Sequence, residues 1–224
     1  MLKGGLLLSK DHSMALLLGL LACTVFVVPV VVSSEDFAHR VTNWLVVAFL
    51  LCGLRAVAEY RRILLVLVPL SVVAIVVRFA EWFVPNALLP ALGEISTLLA
   101  MLVLAVAVGF TVFGSGQSLR ERILGAVVLY LLIGISFAVV YEIVAVHHSG
   151  AFSGATDLDH GVARWVYFSF VTLTTVGFGD MVPTARAARA LTILEALIGQ
   201  LYPAIILARL VSLPTPENSP QERQ

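Results

Sequence analysis

One stretch of the chain sets residues in an order suited to handling a bare cation: Thr174-Thr175-Val176-Gly177-Phe178-Gly179-Asp180. A monovalent cation stripped of water at membrane depth needs rings of weak oxygen ligands, near enough to replace its hydration shell and numerous enough to let it move on. Successive backbone carbonyls meet that need when they turn to the same side, which takes main-chain conformations of alternating hand. Gly177 and Gly179 reach positive φ without a Cβ penalty and fit that demand. Thr175 offers both a carbonyl and a hydroxyl as the innermost ring, and Val176 and Phe178 direct their side chains away from the axis to pack behind it. The expected cation ligands are thus Thr175, Val176, Gly177 and Phe178, with Gly179 completing the loop and Asp180, Thr174 and Tyr167 supporting it. One chain supplies one strand of each ring, so a four-sided site calls for three identical partners in a homotetramer.

Other polar groups sit where they are costly. Glu195 and Gln200 interrupt the apolar run Ala190 to Val211, and groups like these at membrane depth need a partner or a wet cavity. Glu195 either lines a cavity and attracts cations or lies behind the glycine-bearing stretch, hydrogen-bonded to Thr172 or Thr174, the second being preferred. Gly199 lies 20 residues after Gly179, and Pro203 removes the helical bond to its carbonyl. The pair is a candidate gate hinge, with close helix packing at Gly199 as the alternative. Glu142 is expected to bridge to Arg186 or Arg189, and His147, His148 and His160 read as solvated loop residues, with pH sensing as the alternative. Cys23 and Cys52 lie in apolar runs without a CxxC or a histidine pair, so they read as inert thiols, and no cofactor is implied.

The elements that must position these groups belong in a membrane. Of 224 residues 60% are hydrophobic and only 12% charged, against about 25% in a soluble domain. Mean hydropathy is +1.01. Fourteen basic residues balance fourteen acidic ones, leaving no electrostatic pull toward nucleic acid, and no catalytic constellation appears, so the chain does not read as an enzyme. A helix crosses ~30 Å of hydrocarbon in about 20 apolar residues. Runs at Met14–Val32, Val41–Ala58, Ile63–Val84, Ile95–Phe113, Ile123–Tyr141 and Ala190–Val211 suggest six spans, the first a retained helix although Leu20-Leu21-Ala22-Cys23 has the look of a lipoprotein signal. Arg164–Thr175 is too short to cross and reads as re-entrant. The expected fold is an all-α membrane protein of six transmembrane helices, with a re-entrant pore helix and loop between the fifth and sixth. The expected division is a four-span domain at 1–116, a two-span pore domain at 117–213 and a polar, proline-rich tail at 214–224. With six spans, nine basic residues fall on one side and five on the other, which puts both termini in the cytoplasm.

Thr175-Val176-Gly177-Phe178-Gly179-Asp180, placed after an amphipathic half-helix and between two spans, resembles the selectivity filter of potassium channels. The resemblance covers about Ile123 to Leu213. It implies passive K⁺ conduction through a homotetrameric pore in the plasma membrane, the bacterial inner membrane by its type, with lipid and K⁺ as partners. No acidic ring of the kind that calcium- or sodium-selective pores use interrupts the stretch. Two departures stand out: Phe178 replaces the usual tyrosine and bears on filter rigidity, and Val171 stands where simple two-span channels carry a glutamate that pairs with the filter aspartate. Asp180 then needs another partner, Tyr167 or Trp165. Voltage-gated relatives carry a basic residue at every third position of the fourth span, whereas Ile95–Phe113 has none, so steep conventional voltage gating is not expected. A subunit of a potassium transporter and a non-conducting scaffold that keeps the pore fold are the alternatives.

Overall fold

With no water to satisfy peptide groups in hydrocarbon, apolar runs must close their hydrogen bonds within the segment, and the described residues are mostly helical. The computed structural model describes residues 10–27, 35–58, 60–80, 83, 88–114, 118–154 and 162–211. His160, the acidic residues at 157 and 159, and the tail at 214–224 lie outside them. The elements are α1 (Lys10–Ala22), continued by a π-helical turn (Cys23–Val27), then α2 (Glu35–Ala56), α3 (Arg61–Ala80), α4 (Leu88–Phe113), α5 (Leu119–His147), β1 (Phe152–Ser153), the short α6 (Val162–Leu173), β2 (Val182–Pro183) and α7 (Arg186–Val211).

The number of spans differs from the six expected. Among the described residues four helices are long and apolar enough to cross a membrane: Arg61–Ala80, Leu88–Phe113, Leu119–His147 and Arg186–Arg209. Among the described residues the first two apolar runs give the shorter apolar helices Ser13–Val27 and Trp44–Ala56. At 1.5 Å per residue these reach about 23 and 20 Å, short of a ~30 Å core. In the first run regular α-helix stops at Ala22 and a wider π turn follows. The second begins with Glu35, Asp36, His39, Arg40 and Asn43, which leave the apolar part to start at Trp44.

Helices α3, α4 and α5 pack in sequence as antiparallel neighbours. Met101, Leu104 and Val108 of α4 and Val128, Leu132 and Ile135 of α5 are buried between them. Ser118 begins α5 with a capping box: its Oγ accepts from the Glu121 N–H at 3.2 Å, and its own N–H donates to Glu121 Oε2 at 2.9 Å. Arg122 closes the same corner by donating to the Gly114 carbonyl at 2.7 Å. Helix α1 lies against α2 and α5, with the Cys52 thiol donating to the Ser13 carbonyl at 3.3 Å. Both cysteines are free.

Two short strands shape one end of the bundle. β1 and β2 pair antiparallel, Phe152 with Pro183 and Ser153 with Val182, and so tie the segment before α6 to the one after the glycine-bearing loop. Gly154 (φ +88°) makes the approach possible, because a Cβ there would lie 2.0 Å from the Asp180 carbonyl oxygen. Below the strands, Tyr141, Phe152 and Phe168 meet edge to face with centroids 4.9–5.6 Å apart, and Trp165 joins the same cluster.

Candidate functional site

The site is built on the end of α6. A helix leaves its last four carbonyls without helical partners, and all four are taken up here. Phe170 O accepts from the Thr174 N–H at 3.0 Å and its hydroxyl at 2.6 Å. Val171 O accepts from the N–H groups of Val176 and Gly177 at 3.0 and 3.2 Å, and Thr172 O from that of Thr175 at 2.9 Å. Leu173 O accepts from the Tyr130 hydroxyl at 3.3 Å. The pair Val176→Val171 and Thr175→Thr172 is the Schellman pattern, which sets Thr175 at the position that turns left-handed.

Thr175 does so at φ +59°, Gly177 follows at +56° and Gly179 at +77°. Alternate residues of the loop are thus left-handed, and its first member is a β-branched side chain in a region that costs a non-glycine residue about 1–2 kcal/mol. Strain of this kind persists where the surroundings over-determine the backbone, and the double anchor on Val171 O does that. Beyond the cap, the carbonyls of Thr175, Val176, Gly177 and Phe178 accept no hydrogen bond among the described residues. Residues 174–180 are all exposed in the single chain. The side chains of Val176 and Phe178 line a cavity of about 500 Å³ behind the loop with Phe26, Tyr130, Phe170 and Val171.

Asp180 closes the loop. Its carboxylate accepts from the Tyr167 hydroxyl at 2.5 Å and from the Met181 N–H at 3.0 Å. The Tyr167 bond, with that of Met181 behind it, holds the carboxyl below its usual range. Trp165, the other candidate partner, is buried against Phe152 and under the Arg164 guanidinium.

Helix α7 flanks the loop and presents little buried surface of its own. Ile193, Leu197, Leu201 and Ile205 are 54–63% exposed, and Gln200 and Pro203 are exposed with them. Ala188, Gly199 and Ile206 are buried, and so is Glu195, at 0% exposure. Its Oε2 lies 2.5 Å from the Tyr141 hydroxyl and its Oε1 2.5 Å from Ser169 Oγ. The pore-helix partner is therefore Ser169, one turn before the expected Thr172 and Thr174. At Gly199 an added Cβ would lie 1.8 Å from the Leu173 carbonyl oxygen, so α7 and the end of α6 touch backbone to backbone. Glu142 does not reach toward Arg186 or Arg189: it shares a cavity of about 70 Å³ with Arg78, Glu94 and Thr97, while Arg189 donates to the Pro183 carbonyl. Tyr141, Ser169 and Tyr130 were not singled out by sequence. The one available hint was that a carboxyl in an apolar run must find donors.

The fold and the loop define a multi-pass membrane protein with a pore-like helix pair around a short half-helix. Residues 128–215 match the protein family described as Ion channel, a transport family, which agrees with a non-enzymatic role. The chain is also related to proteins named as potassium channels. Two pore potassium channel c of Oryza sativa subsp. japonica is 35% identical over 83 residues, 37% of this chain and 17% of that protein. Two-pore potassium channel 1 of Arabidopsis thaliana is 33% identical over 90 residues, 40% of this chain and 22% of that protein. Protein LctB of Bacillus caldotenax is 34% identical over 87 residues, 37% of this chain and 64% of that protein. The matches span less than two thirds of each relative's length.

Proposed function

We propose that the chain forms a K⁺-selective channel in which four copies surround one conduction path. The observation that carries this is the contrast at the end of α6, where four helical carbonyls are capped and the next carbonyls, in a backbone of alternating hand, are left without protein donors. Oxygens in that state suit a dehydrated K⁺ ion. The ligands are the carbonyls of Thr175, Val176, Gly177 and Phe178 with the Thr175 hydroxyl, and Gly179, Asp180, Thr174 and Tyr167 support them. A single chain cannot close such a ring, and the exposed faces of α7 and of Val176 and Phe178 are available to neighbouring copies. Residues 117–213 make the pore unit, and 1–116 hold the flanking helices.

We read the path as passive, and α4 carries no basic residue to move in a field. Arg55, Arg61, Arg62, Arg120, Arg122 and Arg209 cluster at one end of the bundle against Arg78, Arg164, Arg186 and Arg189 at the other. The richer end, with the start of α1 and the end of α7, faces the cytoplasm of a plasma membrane, the inner membrane if the source is bacterial.

The test is K⁺ and Na⁺ flux from vesicles holding purified protein, with single-channel recording in parallel. Wild type is expected to pass K⁺ at channel rates and to exclude Na⁺, and Gly177→Ala to assemble and pass neither. Equal passage of the two ions, carrier-like rates, or unaltered flux in Gly177→Ala refutes the proposal.

A further inference from the structure

Glu195 is enclosed by α5, α6 and its own helix, and the groups facing it are Tyr141 and Tyr130 from α5, Ser169 from α6 and Thr192 from α7. None of them is a base. Hydrogens can be counted across this cluster. The Tyr141 hydroxyl donates to Oε2. Ser169 Oγ lies 2.5 Å from Oε1 and 2.7 Å from the carbonyl oxygen of Gly134. A serine hydroxyl has one proton to give, and a peptide carbonyl has none. Against an ionised carboxylate, Ser169 can satisfy only one of its two neighbours, and the other oxygen pair is left in contact with no hydrogen between. A proton on Oε1 removes the conflict: Oε1–H donates to Ser169 Oγ, the Ser169 proton goes to Gly134 O, and Tyr141 serves Oε2. Three bonds then run unbroken from α5 through α7 to α6 and back to α5. Burial without a cation works in the same direction, since an unpaired ionised carboxylate in a dry interior is costly.

We infer that Glu195 is held as a neutral carboxylic acid and, through Ser169, positions the pore helix against α7. Ser169 lies six residues before Thr175, on the helix whose cap fixes the start of the loop. Loss of the proton frees Ser169 from one of its two partners and loosens the seat of that helix. The protonation state stands on the geometry alone, and its effect on conduction rests on the channel assignment proposed above.

Infrared difference spectra of the whole protein in lipid, wild type minus Glu195→Gln near neutral pH, test the first part. A protonated-carboxyl C=O band belonging to Glu195 is expected, and carboxylate bands in its place overturn the inference. In Ser169→Ala that band is expected to persist and shift as the hydroxyl partner is lost, and an unshifted band overturns the assigned bond. K⁺ flux tests the second part. Glutamine still donates to Ser169 and accepts from Tyr141, so Glu195→Gln should stay within about twofold of wild type, while Glu195→Ala falls about tenfold or more. An assembled Glu195→Gln as impaired as Glu195→Ala overturns the positioning role. If wild type shows the band and passes no K⁺, the channel assignment fails and the neutral carboxyl stands.

Discussion

Replacing Gly199 by alanine asks whether this glycine is required by packing or by bending. Its Cβ would meet the Leu173 carbonyl at 1.8 Å and the carbonyl carbon at 2.7 Å, and both are backbone atoms that cannot swing aside. Relaxing 1.8 Å to an ordinary 3.4 Å contact separates α7 from the end of α6 by about 1.6 Å. Overpacking of this kind costs about 1–3 kcal/mol, and alanine returns about 1 kcal/mol of helix propensity. The net loss is up to about 2 kcal/mol, roughly a thirtyfold change in the folded population. Leu173 lies two residues before Thr175, so the displacement also enters the loop. Thermal unfolding of the assembled protein in K⁺, run beside vesicle flux, is the assay. Gly199→Ala is expected to melt earlier and conduct less. A variant that melts at or above the wild-type temperature refutes the packing account, and reduced opening in that same variant would assign Gly199 to the hinge with Pro203.

K⁺ should stabilise the assembly where Na⁺ does not. At 100 times its dissociation constant an ion that binds only the native state adds about 2.7 kcal/mol, and equal melting curves in the two salts would remove the loop as a K⁺ site. Tyr167→Phe deletes the side-chain donor to Asp180, and current is expected to decline faster during sustained opening; an unchanged time course would show that the bond does not restrain the loop. Ser118→Ala breaks the capping box of α5 far from the loop and should lower stability by about 1 kcal/mol with K⁺/Na⁺ selectivity intact. Unchanged melting would mean that Arg122 on Gly114 O holds that corner without help.

The sequence made the loop and its half-helix legible because the chemistry is local: two glycines one residue apart follow an apolar segment too short to cross. The left-handed turn at Thr175 was not legible, since a β-branched residue is among the least suited to it and only the bonds to Thr172 and Val171 place it there. Span counting failed at the amino-terminal end because hydropathy records composition and not where α-helical bonding stops. A π turn at Cys23 is invisible to it. Glu195 stood out as a polar residue in an apolar run, but its partners are 26 and 54 residues away and only the packing of three helices brings them together. Glu142 misled for the same reason: Arg186 and Arg189 follow it in the chain, and in space it lines one cavity with Arg78.

The uncapped oxygens from Thr175 to Phe178 bear on how the protein is made as well as on what it carries. A lone copy released sideways into lipid would expose them to acyl chains, where each unsatisfied peptide group costs several kcal/mol. In the four-copy assembly proposed above, the loop therefore has to stay near the aqueous boundary during biogenesis until the copies join and the same oxygens turn to the ion path.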